Sequence, residues 1–418
     1  MGTSEVRTQV GILFTAFEPS GDAHAAPVIA ELKRRQPNLQ IYAWGGPKME
    51  AAGATLLGRT ADDGSMGVSS LKKVLAVRKE QRRIRQWSKE YRVLAHVAVD
   101  SPAANFPICK MMKDRGARVV HLVAPQLWAW GRWRLGKLKR CTDLVLCLLP
   151  FEESWFGERG VPAKFIGHPV MNSHHSEAAL KAIDIQAKQL PSGTPKVAIF
   201  PGSRSHEVRA NIRMLVDAYT ELQGRHHGMG GVIVAANQEL AKLIRKKIRV
   251  FPGGLHMVTG QVDAAIAWCD LALAVSGTVT LDVTRQLKPM VGVYKTGVIS
   301  WLGSKLLLKT AYKLLPNIVA EREIVPEFVP HVGGAMPIVR AATPMLIDSK
   351  NAAMVTEALR RVALRFSNKK PAEEAATLIL ELIGMKATQA AGSSAAPNPA
   401  KPAMSATKAK ATEQRTQK

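Results

Sequence analysis

The chain has 418 residues, of which 46% are hydrophobic, so it is long enough for two or three domains and too apolar to be disordered throughout. Its formal net charge of +25 favours an anionic partner, which includes nucleic acid, a membrane surface and phosphorylated substrates. The four cysteines form no C-x-x-C pair, which argues against a cysteine metal site and is typical of free thiols in a reducing compartment. No apolar run is long enough to span a membrane and the polar first residues lack a signal-peptide core, so a cytoplasmic protein is expected.

Short apolar runs alternate with segments of helical periodicity along most of the chain. The runs predict strands at residues 11–16, 40–44, 94–99, 118–123, 143–148 and 163–166, and again at 196–200, 231–235, 271–275 and 290–294. Helices are predicted between them, including residues 25–35, 207–222 and 278–286. This rhythm predicts an α/β fold with two doubly wound, Rossmann-like parallel sheets that face each other across a cleft.

The restart of the rhythm suggests where the domains divide. Residues 1–172 and 173–350 are predicted to form the first and second Rossmann-like domains. A helical pair at about 351–366 and 371–385 is expected to pack back across both domains. Residues 386–418 consist mainly of Ala, Lys, Ser, Thr and Pro without apolar periodicity, which predicts a disordered basic tail.

In the first half, polar residues follow two of the predicted strands. Glu18, Ser20, Gly21 and Asp22 come after strand 11–16, where they suit contacts to a sugar or a phosphate. Asp100 comes directly after strand 94–99, and it is a candidate general base for an alcohol. The alternative for both loops is an ordinary helix cap, which Pro102 would favour in the second.

In the second half, loops with the features of an anion site follow the strands. The candidate ligands are Gly202, Ser203 and Arg204 after strand 196–200, Ser276, Gly277, Thr278, Thr280 and Asp282 after strand 271–275, and Asn317 after Leu315 and Pro316. Glycine allows close backbone approach, arginine forms bidentate bonds with phosphate, and a carboxylate one turn on suits ribose hydroxyls. These features predict a nucleotide diphosphate site, with helix caps and turns as the alternative.

Two basic amphipathic stretches, residues 71–91 and 299–315, indicate contact with an anionic membrane surface. Met66, Val68 and Leu71 are the apolar contact residues of the first stretch, and Trp301 is that of the second. The alternative is a helix packed on the sheet with its basic face in solvent.

A series of short motifs, taken in order, closely resembles the lipid-A-disaccharide synthase family. The motifs are Glu18-Pro19-Ser20-Gly21-Asp22, Gly45-Gly46-Pro47-Lys48-Met49, Ser65-Met66-Gly67-Val68, Gln126-Leu127-Trp128-Ala129-Trp130, Leu149-Pro150-Phe151-Glu152, Gly167-His168-Pro169, Pro201-Gly202-Ser203-Arg204, Ser276-Gly277-Thr278-Val279-Thr280-Leu281 and Leu315-Pro316-Asn317. The resemblance covers about residues 11–330 and continues more weakly to about 385.

This resemblance implies a GT-B glycosyltransferase that needs neither a metal nor another cofactor. Such an enzyme transfers 2,3-diacylglucosamine from UDP-2,3-diacylglucosamine to 2,3-diacylglucosamine 1-phosphate (lipid X), with inversion, and it releases UDP. The product is the β-1,6-linked disaccharide 1-phosphate of lipopolysaccharide synthesis. The resemblance also implies a peripheral position on the cytoplasmic face of the inner membrane, and it leaves a homodimer open.

The resemblance assigns roles to individual residues as well. Asp100 falls on the family's proposed catalytic aspartate, which would deprotonate the acceptor 6-hydroxyl, and Glu18 and Asp22 would help to position the substrate. The residues that match the nucleotide side are Arg204, Ser276, Gly277, Thr278 and Asn317. The chain departs from the family pattern where Asp282 and Ser70 each stand in place of the usual glutamate, where Glu321 stands in place of the usual glycine, and around residues 23–27, where the helix start is atypical.

Two other functions remain as alternatives. Another GT-B enzyme acting on a UDP-sugar, such as a UDP-N-acetylglucosamine transferase or epimerase, would use the same phosphate loops but would lack the basic membrane segments. A nucleic-acid-binding protein would explain the charge. However, the basic residues are not interleaved with aromatic residues in a known module, so no nucleic-acid partner is expected.

Overall fold

A computed structural model describes residues 8–61, 70–173, 175–295 and 310–385, with side chains except at 8–10 and 70–73. The first half forms a sheet of seven strands in the order β3-β2-β1-β4-β5-β6-β7, and every pair is parallel. Its strands are β1 (Thr8–Ala16), β2 (Ile41–Gly45), β3 (Thr55–Arg59), β4 (Tyr91–Val99), β5 (Arg118–Leu122), β6 (Leu144–Cys147) and β7 (Ala163–Phe165).

The second half forms a parallel sheet of six strands in the order β10-β9-β8-β11-β12-β13. Its strands are β8 (Lys196–Phe200), β9 (Gly230–Ala235), β10 (Leu255–Thr259), β11 (Leu271–Val275), β12 (Met290–Lys295) and β13 (Glu327–His331). Both sheets therefore follow the Rossmann strand order, which reverses between β1 and β4 in one and between β8 and β11 in the other. The predicted α/β architecture with two parallel sheets is confirmed.

Helices cover both faces of the two sheets. In the first half they are α1 (Pro19–Arg35), α2 (Pro47–Ala51), α3 (Ser70–Glu90), α4 (Pro102–Asp114), α5 (Leu135–Cys141) and α6 (Glu152–Gly157), with a 3₁₀ turn at Arg132–Arg134. In the second half they are α7 (Glu177–Lys188), α8 (Ser205–Arg225), α9 (Gln238–Lys247), α10 (Val262–Trp268), α11 (Val279–Arg285), α12 (Leu315–Ala320), α13 (Met336–Ile347), α14 (Ser349–Leu364) and α15 (Pro371–Leu382). Among these described helices, none combines the length and the apolar character needed to cross a bilayer.

The last helix returns to the first sheet. Residues Ala375, Ile379 and Leu380 of α15 belong to the same buried cluster as Val28 and Leu32 of α1. The guanidinium of Arg35 donates to Thr377 Oγ1 (2.6 Å) and to the Glu373 carbonyl (3.1 Å), which fixes the two helices together. The predicted domain boundaries at 172, 350 and 385 stay predictions.

The fully buried strands agree with the sequence, whereas several other elements do not. Helix α1 begins at Pro19 rather than at residue 25, because proline is favoured in the first turn. Strands β3, β10 and β13 were not predicted, since their residues are mostly half-buried or exposed and the apolar signal is weak. Helix α13 was missed as well, because Pro337 and Pro344 interrupt its pattern.

Candidate active site

The candidate residues lie at the points where the strand order of each sheet reverses. Glu18 follows β1 and Asp100 follows β4, while Arg204 follows β8 and Ser276 follows β11. Ligands of open α/β sheets bind at such reversal points, outside the carboxyl ends of the strands. Burial raises the pKa of Asp100, and the charge of Arg204, which follows a strand of the other sheet, lowers it, so the two side chains are within range of electrostatic interaction.

A cavity of about 230 Å³ lies between the loops that follow β8 and β11. The predicted residues that line it are Gly202, Ser203, Arg204, Ser276, Gly277 and Thr278. Its inner wall is apolar and includes Phe200 and Val275. Hydroxyl groups, an arginine and an accessible backbone above an apolar floor suit a nucleotide with its phosphates near Arg204.

Glu207 at the start of α8 organises the Arg204 loop, although it was not among the predicted site residues. Its Oε2 accepts bonds from the backbone N–H groups of Ser203 (2.9 Å) and Arg204 (3.1 Å), and its Oε1 accepts one from Arg204 Nη1 (3.0 Å). Glu207 is buried, whereas the side chain of Arg204 is 57% exposed. A glutamate three residues after a helix cap is a capping-box signal that could have identified it.

Gly202 is required by the same arrangement. Its φ is +107°, and a Cβ built on it would lie 2.6 Å from Glu207 Cβ. Any side chain at this position would therefore displace the residue that orients Arg204.

Three predicted nucleotide ligands do not line this cavity. Thr280 is buried and its hydroxyl donates to the Gly277 carbonyl (2.7 Å). Asp282 Oδ1 lies 3.9 Å from Arg285 Nη2, and burial raises its pKa to about 6. Asn317 is fully buried, and its Oδ1 accepts from the N–H groups of residues 324 and 325. Its Nδ2 donates to the Val325 carbonyl and to Glu327 Oε2. The side-chain amide therefore already makes its full set of hydrogen bonds within the protein. The contacts of these three residues with a nucleotide stay predictions. The bonds that they make within the protein do not favour such contacts.

In the other half of the cleft, Asp100 adopts a left-handed backbone conformation with φ of +49°. Burial raises the pKa of Asp100 and the charge of Glu18 raises it further, whereas Ser101, His24 and Arg204 lower it. A carboxyl group with a raised pKa in a cleft is a suitable general base. His24, on α1, is mostly buried, and burial lowers its pKa while the charge of Asp100 raises it.

The remaining residues of the first loop differ in their exposure. Glu18 is half-buried at the N-cap of α1, Ser20 is exposed and Gly21 is buried. A Cβ built on Gly21 would lie 3.0 Å from Ala16 Cβ, so the helix packs closely on its strand here. Glu18 and Ser20 are therefore the residues of this loop that are accessible to a substrate.

Asp22 has a structural position instead. It is buried, and its Oδ1 accepts from the N–H groups of Gly46 (3.1 Å) and Met49 (2.9 Å), while Oδ2 accepts from that of Lys48 (3.0 Å). It therefore caps α2 from inside α1, and its oxygens are occupied, which does not favour the predicted role at the substrate.

We expect Asp22→Ala to lower the free energy of unfolding by about 3 kcal/mol, because three backbone N–H groups, two of them buried, lose their acceptor. Affinity for UDP is expected to be unchanged, since the cavity lies in the other sheet. Denaturant unfolding together with UDP titration measures both. An Asp22→Ala variant with normal stability but without turnover would instead indicate that Asp22 contacts the substrate.

Several predictions fall outside the described residues: the motif at 65–68 with Met66 and Val68, the side chains of Ser70 and Leu71, Trp301, and the tail 386–418. Glu321 is described, and it ends α12 in the left-handed conformation with φ of +59°, which a glycine would adopt without strain. Within the residues described, no group of three or more His, Cys, Asp and Glu is arranged to hold a metal ion.

Comparison with known proteins gives a family match over most of the chain. A family model described as lipid-A-disaccharide synthetase matches residues 12–379. The lipid-A-disaccharide synthase of Solibacter usitatus is 30% identical over 373 residues, covering 89% of this chain and 97% of that protein. The enzyme of the same name from Pseudomonas putida KT2440 is 30% identical over 372 residues, covering 89% and 99%.

Two solved structures share the fold at low sequence identity. The Staphylococcus aureus MnaA–UDP complex superposes with a TM-score of 0.59 at 9% identity, covering 91% of this chain and 98% of that one. The glycotransferase of kitacinnamycin gives 0.57 at 13% identity, covering 89% and 98%. These matches confirm the predicted GT-B architecture.

Proposed function

The chain belongs to the lipid-A-disaccharide synthase family, and we propose that its cleft transfers 2,3-diacylglucosamine from UDP-2,3-diacylglucosamine to lipid X. The observation that carries the proposal is that Asp100 and the cavity beside Arg204 lie at the strand-order reversal points of the two sheets, where ligands of such sheets bind. One residue supplies a base and the other a cation for phosphate, which are the two groups that this transfer needs.

The proposed reaction is a single in-line displacement. Asp100 takes the proton of the acceptor 6-hydroxyl as its oxygen forms a bond to the donor anomeric carbon. The bond from that carbon to the diphosphate breaks, and UDP leaves with the electron pair. Attack opposite the leaving group converts the α-linked donor into a β-1,6-linked product.

Charge on the departing diphosphate would be stabilised from the second sheet. Ser276 and Thr278 offer hydroxyl donors, and Arg204 is oriented by Glu207 at the rim of the cavity. Fixed donors of this kind act where charge develops and need no rearrangement during the reaction.

The test is a mass-spectrometric assay with purified protein, UDP-2,3-diacylglucosamine and lipid X in detergent, with and without EDTA. The expected products are the disaccharide 1-phosphate and an equal amount of UDP in both conditions. UDP binding without disaccharide would indicate that the acceptor is not lipid X. UDP release without disaccharide would indicate hydrolysis of the donor.

We propose further that the helical face of the first sheet formed by α3, α4 and α5 lies on the cytoplasmic face of an anionic membrane. Trp133 is 73% exposed and Leu75 is 56% exposed. Arg134 stacks on Trp130 and Trp133, with its Cζ 4.5 and 5.6 Å from their ring centres. Residues 131–140 carry Arg and Lys but no acidic residue. Exposed aromatic rings beside cations suit the interface of an anionic bilayer.

The position of these residues fits acylated substrates. Helix α3 follows β3, and the turn with Trp133 follows β5. Both segments therefore begin at the carboxyl edge of the sheet, where the cleft opens. A bilayer on this face would meet the mouth of the cleft.

We expect the double variant Leu75→Ser, Trp133→Ser to bind vesicles containing phosphatidylglycerol about tenfold more weakly, because two partly inserted side chains lose apolar contact. Leu180→Ser is the matched control, since Leu180 is similarly exposed (54%) but lies on α7. Sedimentation with vesicles measures the affinity. Equal binding by the double variant, or an equal loss in the control, would contradict this membrane face.

A further inference from the structure

The backbone is strained where the first sheet meets the cleft. Asp100 (φ +49°), Ser101 (φ +41°) and Val123 (φ +67°) are in the left-handed region, which residues with a Cβ rarely adopt. They stand at the ends of the neighbouring strands β4 and β5, and the Asp100 N–H donates to the Leu122 carbonyl (2.9 Å). Such conformations persist only where the surrounding structure holds them.

A buried asparagine holds the first of these turns. Asn105, on α4, is fully buried, and its Nδ2 donates to the carbonyls of Val99 (3.1 Å) and Asp100 (2.8 Å). Its Oδ1 accepts from Thr15 Oγ1 (2.7 Å), on β1. Ser101 makes no side-chain cap at the start of α4, and the side-chain bonds of Asn105 run to the carbonyls of Val99 and Asp100 that precede the helix.

The direction of the next bond follows from the number of hydrogens. Thr15 has one hydroxyl hydrogen, which it gives to Asn105, so its 2.8 Å contact with His96 Nε2 requires His96 to donate. His96 is fully buried, and burial lowers its pKa to about 3. The chain of donors therefore runs from His96 through Thr15 and Asn105 to the backbone of Asp100.

The neighbouring turn is held in a similar way. His121 is fully buried, and its Nδ1 lies 3.1 Å from the carbonyl of Val123, to which the neutral ring donates. Burial lowers its pKa to about 4, which keeps the ring neutral. Its ring also packs edge-on against Phe106, next to Asn105, with 6.0 Å between ring centres.

We propose that Thr15, His96 and Asn105 are positioning residues for the transfer reaction, because they hold Asp100 in its strained turn and so aim its carboxylate into the cleft. This inference rests on the proposed role of Asp100 as the base. If the three residues had a purely structural role, their replacement would lower stability but would not lower kcat selectively while KM and UDP affinity stayed constant. Apolar residues of the same shape would satisfy packing but would leave the carbonyls of Val99 and Asp100 without these donors.

The experiment compares Asn105→Leu, Thr15→Val and Thr15→Ser with Ile108→Val, a buried apolar position on the same helix. Turnover, KM for both substrates and affinity for UDP are measured on the full chain. Hydrogen exchange of residues 98–106 is followed by mass spectrometry, which reports the turn without requiring activity.

We expect kcat to fall about 100-fold in Asn105→Leu and about tenfold in Thr15→Val, because small misplacement of a reacting group is costly. Thr15→Ser, which keeps the hydroxyl, is expected to retain turnover within about threefold of the wild type, as is Ile108→Val. UDP affinity stays constant throughout, and exchange becomes faster only in Asn105→Leu and Thr15→Val. If Asn105→Leu does not fold, the two Thr15 variants make the same comparison.

Full turnover in Thr15→Val, an equal loss in Ile108→Val, or a parallel loss of UDP affinity would each overturn the positioning role. A wild-type protein that forms no disaccharide would overturn the proposed function instead. The exchange rates alone would then decide whether the network holds the turn, and unchanged exchange in Thr15→Val would show that it does not.

Discussion

Replacing Asp100 by asparagine is expected to lower kcat by about 10³-fold or more, because an amide of the same shape cannot take the acceptor proton. Affinity for UDP is expected to stay within about twofold of the wild type, since the nucleotide cavity belongs to the other sheet. Steady-state turnover and calorimetric titration with UDP measure the two quantities separately.

A matched control is Asp114→Asn, which removes an exposed carboxylate on α4 that pairs with Lys110 (2.6 Å). Its turnover is expected to equal that of the wild type. Turnover near the wild-type level in Asp100→Asn would eliminate this residue as the base. Lost UDP affinity in the same variant would show damage that extends beyond proton transfer.

The pH dependence of the wild type provides a second test of the same group. Burial and the charge of Glu18 hold the pKa of Asp100 above the ordinary value for an aspartate. A base acts only when it is deprotonated, so activity is lost as the pH falls through this pKa. We therefore expect the acidic limb of kcat/KM to lie at a higher pH than an ordinary aspartate would give, and to be missing from the residual activity of Asp100→Asn.

The sequence was informative wherever apolar runs and strand ends decide the structure. Strand β11 is apolar and buried throughout, and β8 is so after Lys196, and their ends had to carry Arg204 and Ser276 to the same edge. The same logic located Asp100. Edge strands such as β3 carried too little apolar signal to be predicted.

Side-chain roles were less predictable, because they depend on partners that are distant in the chain. Asp22 was expected at the substrate, but Gly46 and Met49 bring their N–H groups to it. Thr15 and Asn105 lie 90 residues apart, so no local sequence pattern predicts the hydrogen bond between them. Hydrogen bonds formed only in the folded state decide which polar residues remain free for a ligand.

Arg204 carries the second large effect that we expect. Arg204→Ala is expected to lower kcat by about 10²- to 10³-fold, because the departing diphosphate loses the cation that lines the cavity. Arg204→Lys should recover part of the loss, since lysine supplies the charge but not the planar pair of donors. Arg209→Ala is the matched control, because Arg209 is exposed on α8, shortly after Arg204, and does not line the cavity.

Removal of Arg204 should also change the pKa of Asp100 on the other side of the cleft. This effect distinguishes the proposed role of Arg204 from a simple loss of nucleotide binding. Arg204 lowers the pKa of Asp100, so its removal should raise that pKa and shift the acidic limb of the rate profile to higher pH. Arg204→Lys keeps a cation and should shift the limb less. If Arg204→Ala weakens UDP binding but leaves the limb in place, the two residues act independently, and the proposed meeting of base and cation across the cleft is wrong.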